Sequence, residues 1–104
     1  MNNGRTSVQA ISQANHNAQD AISLGNNVLQ YTIKCAIDSQ ADLWVGINEP
    51  ANNGFILTAG ESVTITDQRV YLDGDKLYLK FDPASSNGKA QVIIVTDLMT
   101  EHDC

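Results

Sequence analysis

Residues 28 to 98 form a series of short apolar segments separated by turn residues, and this pattern restricts the chain to an all-β fold. Gly-containing turns interrupt the apolar segments around Asn53-Gly54, Asp73-Gly74 and Asn87-Gly88. No amphipathic helical pattern separates the segments, as an α/β fold would require. We therefore predict an antiparallel β-sandwich or small barrel of about seven short strands.

Alternation of apolar and polar residues places the individual strands. In residues 28–37 the odd positions from Leu29 to Ile37 are apolar, which is typical of a half-buried strand. The second strand, 41–48, turns Leu43, Val45 and Ile47 toward the core. Further strands are predicted at 55–57, 62–66, 70–72, 77–81 and 91–97, with 70–72 and 77–81 forming a hairpin. The run from Val92 to Val95 is apolar on both faces, so this strand is expected at the centre of a sheet or under another element.

The first 27 residues differ from the rest in composition, being rich in Asn, Gln, Ser and Ala. Val8, Ile11, Ala18 and Ile22 fall near helical spacing. The sequence leaves open whether this segment is a floppy tail or an arm that orders on a neighbouring subunit, and whether it is helical or extended. We divide the chain into an N-terminal arm of residues 1–27, a β-sandwich domain of residues 28–98 and a polar tail of residues 99–104.

Charge excludes several classes of partner. The net charge is -6, and the six basic residues are scattered along the chain. Binding to nucleic acid or to an anionic membrane surface needs clustered Lys and Arg, so neither partner is expected. The sequence contains neither an apolar run long enough to cross a membrane nor a secretory signal pattern. We therefore expect synthesis in a cytoplasm. In that compartment Cys35 and Cys104 are expected to be reduced thiols.

Residue patterns for catalysis, cofactor binding or metal binding are weak, and we predict no catalytic, cofactor or metal site. A catalytic nucleophile needs a rigid histidine beside it. The two histidines, His16 and His102, lie in the polar termini, where no rigid element is predicted. The sequence His102-Asp103-Cys104 falls short of the four convergent ligands of a structural zinc site. Asp73-Gly74-Asp75 lacks the further ligands of a calcium loop and is interpreted as a turn. The sequence leaves open whether a calcium ion binds at a contact between subunits.

Three segments in a fixed order carry a family resemblance: ADLWVGIN at 41–48, GFILTAGESV at 54–63 and KLYLK at 76–80. Together they resemble small β-sandwich virion proteins of tailed bacteriophages, which include capsid decoration proteins, head fibres and neck or tail components. The resemblance covers residues 28 to 97. It implies a non-enzymatic, structural role in the virion, after synthesis in the cytoplasm of a host bacterium. It also implies homo-oligomeric assembly and contact with a major capsid, neck or other virion protein.

From the residues and this resemblance we expect a capsid decoration, cement or head-fibre component that self-associates, with a trimer as a working assumption. Two alternatives stay open for Trp44, which is either core under a covered sheet face or an exposed anchor for a partner. The rival function is a carbohydrate- or receptor-binding sandwich in which Trp44, Tyr71 and the Asn-rich loops hold a sugar. The candidate contact residues are Val8, Ile11, Ile22, Trp44, Asn52, Asn53 and Phe55.

Overall fold

The described residues form eight β-strands and one short 3₁₀ turn. A computed structural model describes residues 4–12, 21–66, 71–82 and 87–97. The strands are β1 Gly4–Ser12, β2 Ile22–Ser23, β3 Val28–Cys35, β4 Asp42–Ile47, β5 Phe55–Leu57, β6 Ser62–Thr66, β7 Lys76–Asp82 and β8 Lys89–Asp97; the 3₁₀ turn is Ala51–Asn53. Among the residues described, no helix is long and apolar enough to cross a membrane.

The strands form two four-stranded sheets. Sheet A has the order β1-β8-β3-β6, and sheet B has the order β2-β7-β4-β5. All neighbouring strands in both sheets are antiparallel. Neither sheet closes on itself, so the predicted all-β antiparallel fold is confirmed as a sandwich rather than a barrel.

The core lies between the two sheets and is built from the alternating inward residues of the central strands. Sheet A contributes fully buried residues from β3 and β8, and sheet B contributes them from β4 and β7. Burying one such aliphatic side chain stabilises the fold by about 1.5–3 kcal/mol. The largest of these side chains are Tyr31, Ile33, Leu43, Leu77 and Leu79.

The described part of the predicted arm belongs to the sheets. Strand β1 pairs along its whole length with β8, and β2 pairs with β7. Of the two conformations that the sequence leaves open for this segment, residues 4–12 and 22–23 adopt the extended one. Ile11 and Ile22 share no helical stripe; each turns its side chain into the core of its own domain. The spacing misled because Ile11 and Ile22 come from two strands that lie in different sheets.

Two strand assignments also need correction. The register of β3 against β8 shifts between Val28 and Gln30, so Val28 is fully buried and Leu29 is only partly so. A β-bulge adds one unpaired residue and reverses the alternation on its far side. Strand β3 ends at Cys35, which leaves Ile37 exposed in the following turn. Tyr71 and Leu72 are not in a strand, and β7 pairs with β4 and β2 instead of forming the predicted hairpin.

The Asp73-Gly74-Asp75 turn joins the two sheets through its carboxylates. Asp73 accepts hydrogen bonds from the backbone N–H groups of Asn27 at 2.8 Å and Val28 at 2.7 Å. Asp75 accepts one from the hydroxyl of Tyr31 at 2.8 Å. These carboxylates bind the chain itself, in agreement with their interpretation as turn residues.

Candidate interaction surfaces

The outer face of sheet A is a grid of neutral side chains. Its central row runs across the four strands as Val8, Ile93, Thr32 and Thr64. The hydroxyls of Thr32 and Thr64 lie 2.8 Å apart and share a hydrogen bond. On one side of it, the flanking row is Thr6, Val95, Gln30 and Thr66. On the other side, the flanking row is Ala10, Gln91, Lys34 and Ser62.

The twelve side chains of this grid include no carboxylate, although the chain has twelve acidic residues. Among the described residues, Asp97 lies on the same face beyond Val95, at the end of β8. The only charged residue in the grid is Lys34. Carboxylates of the described residues all lie in turns or at strand ends: Asp38, Asp42, Glu49, Glu61, Asp73, Asp75, Asp82 and Asp97. A neutral, partly apolar patch on an otherwise acidic protein has the composition of the centre of a protein–protein interface, where charged residues are depleted.

Val8 is the most exposed apolar residue of this face, with 58% of its surface accessible. Ile93 and Val95 are half-buried, because only their neighbours within the sheet shield them. The apolar run from Val92 to Val95 predicted the central position of β8, which the structure confirms. Sequence reasoning missed that Ile93 and Val95 form a surface with Val8, since the pairing of β1 with β8 was not foreseen.

The outer face of sheet B carries the aromatic residues Trp44 and Tyr78. Trp44 lies directly opposite Lys80 on β7, and the Lys80 ammonium is 6.0 Å from the centre of the indole ring. This distance permits a cation–π contact. Trp44 is half-buried, so it is neither a core residue nor a fully exposed anchor.

A cleft of about 640 Å³ lies on this face, next to Tyr78 and Lys80 of β7. It is lined by Asn48, Glu49, Pro50, Ala51, Asn52, Tyr78 and Lys80. The loop wall of the cleft is anchored at Asn48, whose side-chain oxygen accepts a hydrogen bond from the Lys76 backbone N–H at 2.9 Å. The Asn48 amide also donates to Asp75 at 3.2 Å. The cleft thus offers an aromatic wall, an ammonium, a carboxylate and amides.

Glycine allows this loop to lie against the sheet. A Cβ atom on Gly46 would collide with the backbone carbonyls of Glu49 and Pro50. A Cβ atom on Gly54 would collide with the carbonyl of Val45. The loop backbone therefore packs directly on the backbone of β4, which only glycine permits at both positions.

The structure separates the predicted contact residues into two groups. Ile11 and Ile22 are buried in the core and do not offer a surface to a partner. Val8 is exposed on β1, Asn52 and Asn53 are exposed in the 3₁₀ turn, and Phe55 is 36% exposed on β5. With Trp44 these residues lie on the surface, and their contact with a partner stays a prediction.

Ionisable groups in the described residues serve the fold. Cys35 is a free, buried thiol, and burial raises its pKa. Burial, and then the hydrogen bond from its hydroxyl to Asp75, raise the pKa of Tyr31. Within the described ranges no group of three or more His, Cys, Asp or Glu side chains could hold a metal ion. His16, His102, Asp103 and Cys104 lie outside those ranges.

Comparison with protein-family models, with curated proteins and with solved structures found no match. The resemblance of residues 28 to 97 to virion sandwich proteins therefore rests on the three sequence segments alone.

Proposed function

We propose that the chain is a non-enzymatic structural protein of a bacteriophage virion, of the capsid decoration, cement or head-fibre type. The observation that carries the proposal is the neutral outer face of sheet A, which presents Val8, Ile93 and Val95 on a chain of net charge -6. The segments 41–48, 54–63 and 76–80, which together resemble virion sandwich proteins, support the virion as the location.

In this proposal the outer face of sheet A docks on a major capsid, neck or other virion protein. A flat sheet face buries apolar area without a large conformational change, because its side chains already stand on a rigid scaffold. The central grid of twelve side chains contains no carboxylate, which keeps the desolvation cost of docking low there. The protein would be made in the cytoplasm of the host bacterium and become part of the assembled particle.

A charge placed at the centre of this face tests the proposal. We expect Ile93→Glu to reduce docking on particles at least about tenfold, a change of about 1.4 kcal/mol, because it buries an unpaired carboxylate. The measurement mixes purified chain with particles assembled without it, sediments the particles and counts bound copies by mass spectrometry.

Ile56→Glu is the matched control, since Ile56 is 47% exposed on β5 in the other sheet. It makes the same chemical change and should leave docking unchanged. Absence of the wild-type chain from purified particles, or equal docking by the two variants, would contradict the proposal.

The cleft next to Tyr78 and Lys80 favours carbohydrate recognition as a second candidate function. Sugars stack on aromatic rings and exchange hydrogen bonds with amide, carboxylate and ammonium groups, and the cleft places Tyr78, Asn52, Glu49 and Lys80 together. Tyr71, which the sequence also suggested, is not among the residues that line it and instead donates a hydrogen bond to Asp97 at 2.9 Å.

If this second function holds, the wild-type protein binds a glycan on an array, and Tyr78→Ala loses most of that binding because it removes the aromatic wall of the cleft. Tyr71→Ala removes an aromatic residue that does not line the cleft and should bind as the wild type does. Binding of no glycan by the wild type would leave the virion proposal as the sole candidate.

A further inference from the structure

Strand β1 is an edge strand of unusual length for this fold. It has nine residues, whereas the other edge strands β6, β5 and β2 have five, three and two. Among the described residues, no strand pairs with its outer side. Natural edge strands are commonly protected by proline, lysine or a bulge. Strand β1 has neither proline nor lysine, and its register against β8 is continuous.

The hydrogen bonds around β8 show which backbone groups of β1 face outward. The Ala36 N–H donates to the Lys89 carbonyl, and the Asp97 N–H donates to the Asn27 carbonyl. Odd-numbered residues of β8 therefore point their polar backbone groups away from β1, and even-numbered residues point them toward it. The even residues Ala90, Val92 and Ile94 of β8 lie opposite Ile11, Gln9 and Ser7 of β1. The odd residues of β1 therefore form the backbone hydrogen bonds to β8.

The even residues Thr6, Val8 and Ala10 consequently direct their backbone N–H and C=O groups outward. All three residues are exposed. Val8 is also the central residue of β1, which spans Gly4–Ser12. A two-fold axis through Val8 would pair Val8 with its own copy, and Thr6 of each copy with Ala10 of the other.

We propose that two copies of the chain join through β1 in an antiparallel pair centred on Val8. Val8 of each copy hydrogen-bonds Val8 of the other, and Thr6 of each bonds Ala10 of the other. The two copies of sheet A become one continuous sheet. The inference rests on the proposed assembly role and names a second copy as the partner at this edge.

Charge and side-chain pattern favour a second copy over a different partner. Arg5 is the only charged residue of β1, so two acidic chains meet at a segment that contains no carboxylate. Val8 and Ile93 are neighbours on one face, so the pairing continues the row Thr32, Ile93, Val8 into Val8, Ile93, Thr32 of the second copy. Apolar cross-strand pairs of this kind stabilise sheets. The pairing thereby doubles the area of the neutral sheet face that is proposed to dock on the particle.

Substitutions at Val8 test the pairing. By sedimentation velocity over a concentration series, we expect the wild-type chain to show a monomer–dimer equilibrium. Val8→Pro removes an outward N–H, and Val8→Lys places two ammonium groups opposite each other across the axis. Each should raise the dimer dissociation constant at least about tenfold.

Two controls separate pairing from folding. Thr64→Lys puts the same charge on the same sheet face at β6 and should preserve the dimer. Gln9→Pro removes an N–H from the ladder with β8 and should lower the unfolding midpoint, whereas Val8→Lys should leave it unchanged. A wild-type chain that is monomeric at all concentrations, or a Val8→Lys variant that dimerises normally, overturns the proposal.

Disulfide trapping tests the register. In a Cys104→Ser background, Val8→Cys should cross-link under mild oxidation, since hydrogen-bonded partners have Cα atoms about 5.5 Å apart, within the range of a disulfide. Thr6→Cys alone should not cross-link, but a mixture of Thr6→Cys and Ala10→Cys chains should. Cross-linking by Thr6→Cys alone overturns the pairing centred on Val8.

The two proposals fail separately. If the chain dimerises through β1 but does not dock on particles, the virion role is wrong and the pairing stands. If the chain docks on particles as a monomer, the pairing is wrong and the virion role stands.

Discussion

Replacing Gly46 by alanine should displace the loop of residues 48–54 from sheet B and destabilise the protein by about 1–3 kcal/mol. The new methyl group would overlap the backbone carbonyls of Glu49 and Pro50, which cannot move aside by a change of rotamer. In a domain of this size, each kcal/mol lowers the midpoint of thermal unfolding by roughly 4–8 °C. Circular dichroism measures that midpoint. Fluorescence of Trp44, the single tryptophan, reports the local change on β4.

Gly74→Ala is the matched control, because a Cβ atom on Gly74 would have no atom within 4 Å. Its free energy of unfolding should lie within about 0.5 kcal/mol of the wild-type value, as for most surface substitutions. Gly54→Ala should resemble Gly46→Ala, since its methyl group would overlap the Val45 carbonyl. Equal unfolding midpoints for Gly46→Ala and Gly74→Ala would contradict the close approach of loop and sheet.

Truncating Tyr31 to alanine should cost about 3–5 kcal/mol, a large part of the 5–15 kcal/mol that stabilises a typical domain. Tyr31 is fully buried on β3, and its hydroxyl binds Asp75 in the turn that precedes β7. The truncation removes the largest fully buried side chain and one of the hydrogen bonds that join the two sheets. Urea unfolding measures the loss. Tyr71→Ala should cost much less, because Tyr71 is 40% exposed.

The hydroxyl of Tyr31 can be tested separately with Tyr31→Phe, which should cost about 0.5–1.5 kcal/mol at neutral pH. Burial, and then the hydrogen bond to Asp75 and its charge, raise the pKa of Tyr31 in the folded state. The neutral phenol therefore stabilises the fold fully below the unfolded pKa of about 10, and this contribution is lost as the pH rises toward the folded pKa.

The free energy of unfolding of the wild type should thus fall toward, and then below, that of Tyr31→Phe in alkali. Urea unfolding of both proteins at about pH 8 and about pH 11 measures this difference. A difference that stays constant between the two pH values would show that the Tyr31 hydroxyl is not held by the fold.

Alternation in the sequence predicted much of the sandwich. Strand β6 matches its predicted range, and Leu43 and Val45 on β4 are fully buried as expected. These predictions succeed because a strand with one buried face must alternate, and alternation is a local property of the sequence. The run of β8 that is apolar on both faces predicted its central place for a different reason, since a central strand is shielded by a neighbouring strand on each side.

The candidate surfaces were only partly predictable. The sequence indicates Val8 and Trp44 as contact residues, but it places Val8 on an arm and allows two interpretations of Trp44. Their neighbours Ile93 and Lys80 come from strands 85 and 36 positions further along the chain. No local pattern records such a pairing, so the surfaces became visible only when the strands were ordered in the sheets.

The sequence alone predicts an acidic, Asn-rich, all-β chain with turns that contain glycine, because composition and alternation act over a few residues. Only the tertiary structure decided that β1 joins β8, that Ile11 and Ile22 enter the core and that Val8 lies at a free edge. Strand β1 has a weak pattern of its own, and its place depends on hydrogen bonds to a strand about 80 residues away. Long-range pairing thus converted a segment that looked like an arm into the edge on which assembly is proposed.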